Sequence, residues 1–67
     1  MMTLRLNKAL YEKDSLQDAV NAYRELAKIE VREQDPYWII HFRQCRYEER
    51  QTAAEFENYL IDRMNSR

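Results

Sequence analysis

The chain contains no glycine. Loops that cradle phosphates and turns that hold dinucleotides need glycine, because the backbone must take positive φ or approach the ligand without a Cβ in the way. A P-loop or a Rossmann site is therefore excluded. Helices must likewise end without the usual glycine cap, on Asn, Lys or Arg. Cysteine occurs once, at Cys45, so no internal disulfide can form; a lone thiol of this kind suits a reducing compartment. Histidine also occurs once. His41 and Cys45 are separated by about 13 Å if the chain between them is extended, too far for a shared metal or a Cys-His nucleophile pair. We expect no metal, no cofactor and no catalytic residues, and hence no enzyme.

No apolar run approaches the roughly 18 residues of a membrane helix, and Arg5 and Lys8 interrupt what would be a signal-peptide core. The sequence thus reads as cytoplasmic, with no membrane partner. Nor is there an excess of one charge: 11 basic and 12 acidic residues give a formal net charge of −1. No global field draws such a protein to nucleic acid, so binding of that kind is not expected unless a local patch supplies it.

What the sequence does have is large apolar side chains. Of its 67 residues 45% are hydrophobic, too many for a disordered chain. One domain, 1–67, is expected. A chain this short buries only about 60% of the surface its unfolded form exposes, so its core is marginal and a partner or dimerisation would help it.

The stretch from Lys28 to Arg43 organises the rest. Ile29 and Val31 alternate with Lys28, Glu30 and Arg32, the period-2 pattern of a strand with one dry face. Glu33 to Asp35 are expected to turn the chain, with Pro36 at the turn or first in the next strand, since it cannot donate to a ladder. Tyr37 to Phe42 is a run of aromatic and β-branched residues that favours a strand. Trp38, Ile40 and Phe42 share one face; Tyr37, Ile39, His41 and Arg43 share the other. Being apolar on both sides, this strand belongs in the centre of the sheet.

Before the hairpin, Leu4, Leu6 and Leu10 alternate with Thr3, Arg5 and Asn7, Lys8 being the exception, which predicts a strand over Thr3 to Leu10. Asp14 or Ser15 is expected to cap a helix, Ser15 with Asp18 as a capping box, and Leu16, Ala19, Val20, Tyr23 and Leu26 or Ala27 form its apolar stripe. After the hairpin, Gln44 to Gln51 is a polar connection. Thr52 and Glu55 then predict a second capping box, followed by a helix burying Ala53, Phe56, Tyr59, Leu60 and Met64, with Arg63 and Arg67 at its negative end. Ala54 and Ile61 mark a weaker apolar flank on that helix.

The order strand, helix, strand, strand, helix predicts a small α+β domain of βαββα topology. A crossover connection runs the first two strands parallel, and a central third strand gives the order first, third, second. The result is a three-stranded mixed sheet with two helices packed on one face. The other face would then be uncovered, displaying Arg5, Lys28, Glu30, Arg32, Tyr37, Ile39, His41 and Arg43. We take Tyr37, Ile39, His41 and Arg43 as the centre of a partner-binding face, with Arg5 and Arg32 at its rim. A protein or peptide partner, held on this face or by strand addition at an exposed strand edge, is the leading expectation. A nucleic acid stacking on Tyr37 and His41, a homodimer, or a merely solvated face are the alternatives.

Several short motifs point to a family. Leu6-Asn7-Lys8-Ala9-Leu10-Tyr11, an Ala-rich helix with Ala19, Ala22 and Tyr23, then Ile29-Glu30-Val31 and Tyr37-Trp38-Ile39-Ile40, resemble the small HxsD-type proteins of bacterial His-Xaa-Ser systems. Asn58 and Arg63 keep that family's spacing in the last helix. The resemblance implies an accessory, non-catalytic protein that works beside radical-SAM enzymes modifying a repeat-bearing peptide.

Overall fold

A computed structural model describes residues 2–66. Five elements follow in the expected order: β1 Met2–Asn7, α1 Lys13–Tyr23, β2 Lys28–Gln34, β3 Tyr37–Arg43 and α2 Glu49–Asn65. The sheet order is β1-β3-β2, with the apolar β3 in the centre. Both hydrogen-bonded pairs are antiparallel. β1 and β2 do run parallel to one another, as the crossover requires, but they never touch. The sheet is therefore antiparallel in its pairing rather than mixed.

Register fixes the two faces. Leu4 and Leu6 lie opposite Ile40 and Trp38, and on the other side Ile29 and Val31 lie opposite Phe42 and Ile40. Side chains alternate across a strand, so these residues share the dry face. Leu16 and Ala19 of α1, and Ala53, Phe56 and Leu60 of α2, close over it. Phe42, Phe56, Ile40 and Leu60 are the largest fully buried side chains. α2 packs on β1 and β3, and α1 packs beside α2.

The boundaries depart from the sequence expectation in instructive ways. β1 ends at Asn7, whose carbonyl accepts from the Leu10 and Tyr11 N–H groups in a turn, so Leu10 is 66% exposed and outside the core. The hairpin turn is Asp35-Pro36, with the peptide between them cis, and β2 extends through Glu33 to Gln34. α1 starts after Glu12, without a side-chain capping bond, and Ser15 is buried inside the helix rather than capping it. α2 starts a full turn earlier than Thr52. Its cap is Glu48, whose carboxylate accepts from Arg50 N–H (3.1 Å) and Gln51 N–H (2.8 Å). Thr52 is buried in the first turn and donates its hydroxyl to the Glu48 carbonyl at 3.0 Å.

Without glycine, α1 ends on Arg24 and α2 on Ser66, whose N–H returns to the Arg63 carbonyl. Gln44 takes the positive φ, 50°, that lets the chain leave β3. Arg67 lies outside the described residues. Among them, no helix is long and apolar enough to cross a membrane.

Candidate functional site

The face of the sheet away from the helices is built by the strand register alone. Arg5, Ile39 and Arg32 form one row across it; Thr3, His41 and Glu30 form the next; Asn7, Tyr37 and Gln34 form a third. Arg43 stands opposite Lys28 at one end. No helix packs here, and the six residues singled out from sequence, Tyr37, Ile39, His41, Arg43, Arg5 and Arg32, all lie on this one surface.

Their environments differ. Tyr37, Ile39 and His41, in the central strand, are half-buried, whereas Arg5, Arg32 and Arg43 are exposed. Ile39 lies directly between two arginines, whose aliphatic stems can cover an apolar neighbour while the guanidinium stays in water. The Arg5 guanidinium lies over the Tyr37 ring, 4.6 Å from its centroid, in cation–π geometry. Thr3 Oγ1 and His41 Nδ1 are hydrogen-bonded at 3.1 Å. Glu30 sits between Arg32 and Arg43, with nitrogen-oxygen separations of 3.5 and 3.6 Å.

The formal charge of the face is four basic side chains, Arg5, Lys28, Arg32 and Arg43, against one carboxylate, Glu30. This local excess of three positive charges sits on a chain of net charge −1, so the remaining surface is correspondingly acidic. The face is apolar at Ile39 and Tyr37 and basic around them. Sequence reasoning named Glu30 as part of the face but missed that it lies within ion-pair distance of two of the arginines. The cross-strand bond from Thr3 to His41 was also missed. Alternation alone assigns a residue to a face; only register says who its neighbours are.

Outside this face several polar side chains tie elements of the fold together. Lys8 pairs with Glu33 and with Asp35 (2.5 Å) and lies over the Trp38 ring, 4.9 Å from its centroid. Hydrogen bonds to Asp35 and then Glu33 raise its pKa above the ordinary lysine value. Tyr11 donates to Glu57 Oε2 at 3.2 Å, tying the turn after β1 to α2. Cys45 is half-buried against the core; burial, then Glu49, push its thiol pKa up, away from the thiolate a nucleophile needs. Asn58 lies on the exposed side of α2, and Arg63 reaches Asp18 of α1 at 3.0 Å. No group of three or more His, Cys, Asp or Glu residues that could hold a metal occurs among the described residues.

A shallow groove of about 340 Å³ runs beside the start of β2, lined by Val20, Arg24, Ala27, Lys28 and Ile29. Comparison with protein-family models, curated proteins and solved structures finds no match to this chain.

Proposed function

We propose that this protein is a small non-catalytic adaptor that binds an extended, acidic peptide or protein segment on its open sheet face. The observation that carries the reading is the composition of that face: a half-buried apolar centre at Ile39 and Tyr37, framed by Arg5, Arg32 and Arg43 with His41 alongside. An apolar anchor with a ring of charge of one sign is the chemistry that recognises an apolar side chain flanked by carboxylates. A nucleic-acid reading is less favoured by the same geometry, because Arg5 already covers the face of Tyr37 on which a base would stack. The resemblance of its motifs to those of HxsD-type proteins supports an accessory role, in the bacterial cytoplasm, beside a radical-SAM enzyme that modifies a peptide.

The test is a two-dimensional NMR titration of the labelled protein with short acidic peptides carrying one central leucine, and in parallel with a short RNA. Shifts should concentrate on Tyr37, Ile39, His41 and Arg43 with the peptides, and Ile39→Asp should abolish them while the spectrum stays dispersed. A response to RNA alone would overturn the reading. So would unfolding of the Ile39→Asp variant together with an unresponsive face in the Arg5→Glu variant, because Ile39 would then be serving the core.

A further inference from the structure

β2 is an outer strand, and among the described residues no strand lies beyond it. Which of its peptide groups face outward follows from one bond. The Pro36 carbonyl accepts from Lys8 N–H at 2.9 Å, on the β1 side of the sheet. Successive residues of a strand direct their peptide groups to opposite sides, so those of Tyr37, Ile39, His41 and Arg43 are directed to β2. Their register partners Gln34, Arg32, Glu30 and Lys28 answer them. The peptide groups of Ile29, Val31 and Glu33 therefore point away from the sheet, three evenly spaced sites for another strand. The opposite edge offers less: Asn7, at the end of β1, has its carbonyl committed to Leu10 and Tyr11 and its side chain to Ala9 N–H.

The side chains along β2 complement their own reversed copy. If two β2 strands pair antiparallel about a two-fold axis through Val31, each Glu30 faces Arg32 of the other copy, and each Arg32 faces Glu30. On the dry side Val31 meets Val31. Val31 is 37% exposed, among the described residues the only core-facing aliphatic of the sheet left so open. Neighbouring registers lack this match: centring on Glu30 sets carboxylate against carboxylate and Lys28 against Arg32, and centring on Arg32 sets two guanidinium groups together. Opposite charges directly across a ladder stabilise it and like charges destabilise it. All three registers bring outward-facing peptide groups against one another, so it is the side-chain match that selects the Val31-centred one.

We propose that the protein forms an isologous homodimer by antiparallel pairing of β2 with β2 of a second copy, centred on Val31. The product is a continuous six-stranded sheet with the two open faces side by side, and both exposed edges of β2 are removed.

Sedimentation equilibrium from micromolar to millimolar protein tests this, with circular dichroism as the check on folding. The wild type should show a monomer–dimer equilibrium. Val31→Pro removes only an outward N–H and leaves the β2–β3 ladder intact, so it should weaken association by roughly tenfold or more while the fold persists. Arg32→Glu sets carboxylates opposite one another and Glu30→Arg sets guanidinium groups opposite one another; neither variant should self-associate. Mixed together they should dimerise, because each supplies what the other lacks. Ile39→Asp, in the central strand, should leave association unchanged, which separates this interface from the peptide-binding reading. A wild type that stays monomeric to millimolar concentration overturns the proposal, as does a dimer indifferent to the β2 substitutions or a mixture that remains monomeric.

Discussion

The rings of Phe42 in β3 and Phe56 in α2 meet edge to face, their centroids 5.1 Å apart and their planes at 82°. Tyr23 of α1 stands edge-on to the same Phe56 at 5.8 Å. Sheet, first helix and second helix are thus joined through one side chain. Edge-to-face contact sets the positive rim of one ring against the negative face of the other and adds to the burial term. Phe56→Ala should cost about 3–5 kcal/mol, a large share of the stability of so small a domain. Urea titration followed by circular dichroism should find the variant largely unfolded in buffer, and Phe56→Leu intermediate.

Trp38 donates its Nε1–H to the Tyr11 carbonyl at 3.1 Å, fastening the turn after β1 to the central strand. Trp38→Phe keeps most of the buried ring but leaves that carbonyl without its partner, at a cost of about 1–3 kcal/mol. Thermal melts should register the loss. As the single tryptophan, Trp38 is also the reporter of folding, and its emission should shift to the red as the core opens.

The carboxylate of Glu48 serves two N–H groups at the start of α2, where the helix dipole also favours negative charge. Glu48→Ala should destabilise the domain by about 0.5–2 kcal/mol, and Glu48→Asp or Glu48→Ser should recover part of it. Denaturant midpoints compare the three.

Four groups hold their protons more tightly in the folded chain than in the unfolded one. Burial raises the pKa of Cys45, with Glu49 adding to it; burial and the bond to Glu57 raise Tyr11; burial and Glu55 raise Tyr23; and Asp35 and Glu33 raise Lys8. As pH rises, each proton leaves the unfolded chain first, which favours unfolding. Their stabilisation is complete below the ordinary values of 9.0 for the thiol and 10.0 for the phenols, and is lost as pH passes through the raised folded values. Urea midpoints should therefore hold steady from neutral pH to about pH 9 and fall above it. Tyr11→Phe should flatten the alkaline part of that fall.

Much of the architecture was legible because it rests on periodicity. The alternation of Trp38, Ile40 and Phe42 with Tyr37, Ile39, His41 and Arg43 determined which face of the central strand is dry. The stripe of Leu16, Ala19, Val20 and Tyr23 determined α1, and the apolar character of β3 on both sides determined its place in the sheet. These are local patterns that burial enforces whatever the neighbours are. The membership of the candidate face followed from the same alternation.

What tertiary structure alone decided is who stands beside whom. Ser15 and Thr52 have the chemistry of caps, yet both are buried inside helices, because the packing of Leu16 and Phe56 sets where each helix must begin. Leu10 has the spacing of a strand residue but lies in a turn, because the Asn7 carbonyl is taken by Leu10 and Tyr11 N–H. Val31 has the pattern of a core residue and is exposed, since α2 lies over β1 and β3 and leaves the β2 edge open. Arg5 over Tyr37, Thr3 bonded to His41 and Glu30 between two arginines all depend on cross-strand register, which joins residues far apart in sequence. A sequence states which side of a strand is dry by its period of two; only the paired strands fix the neighbours that give the wet side its chemistry.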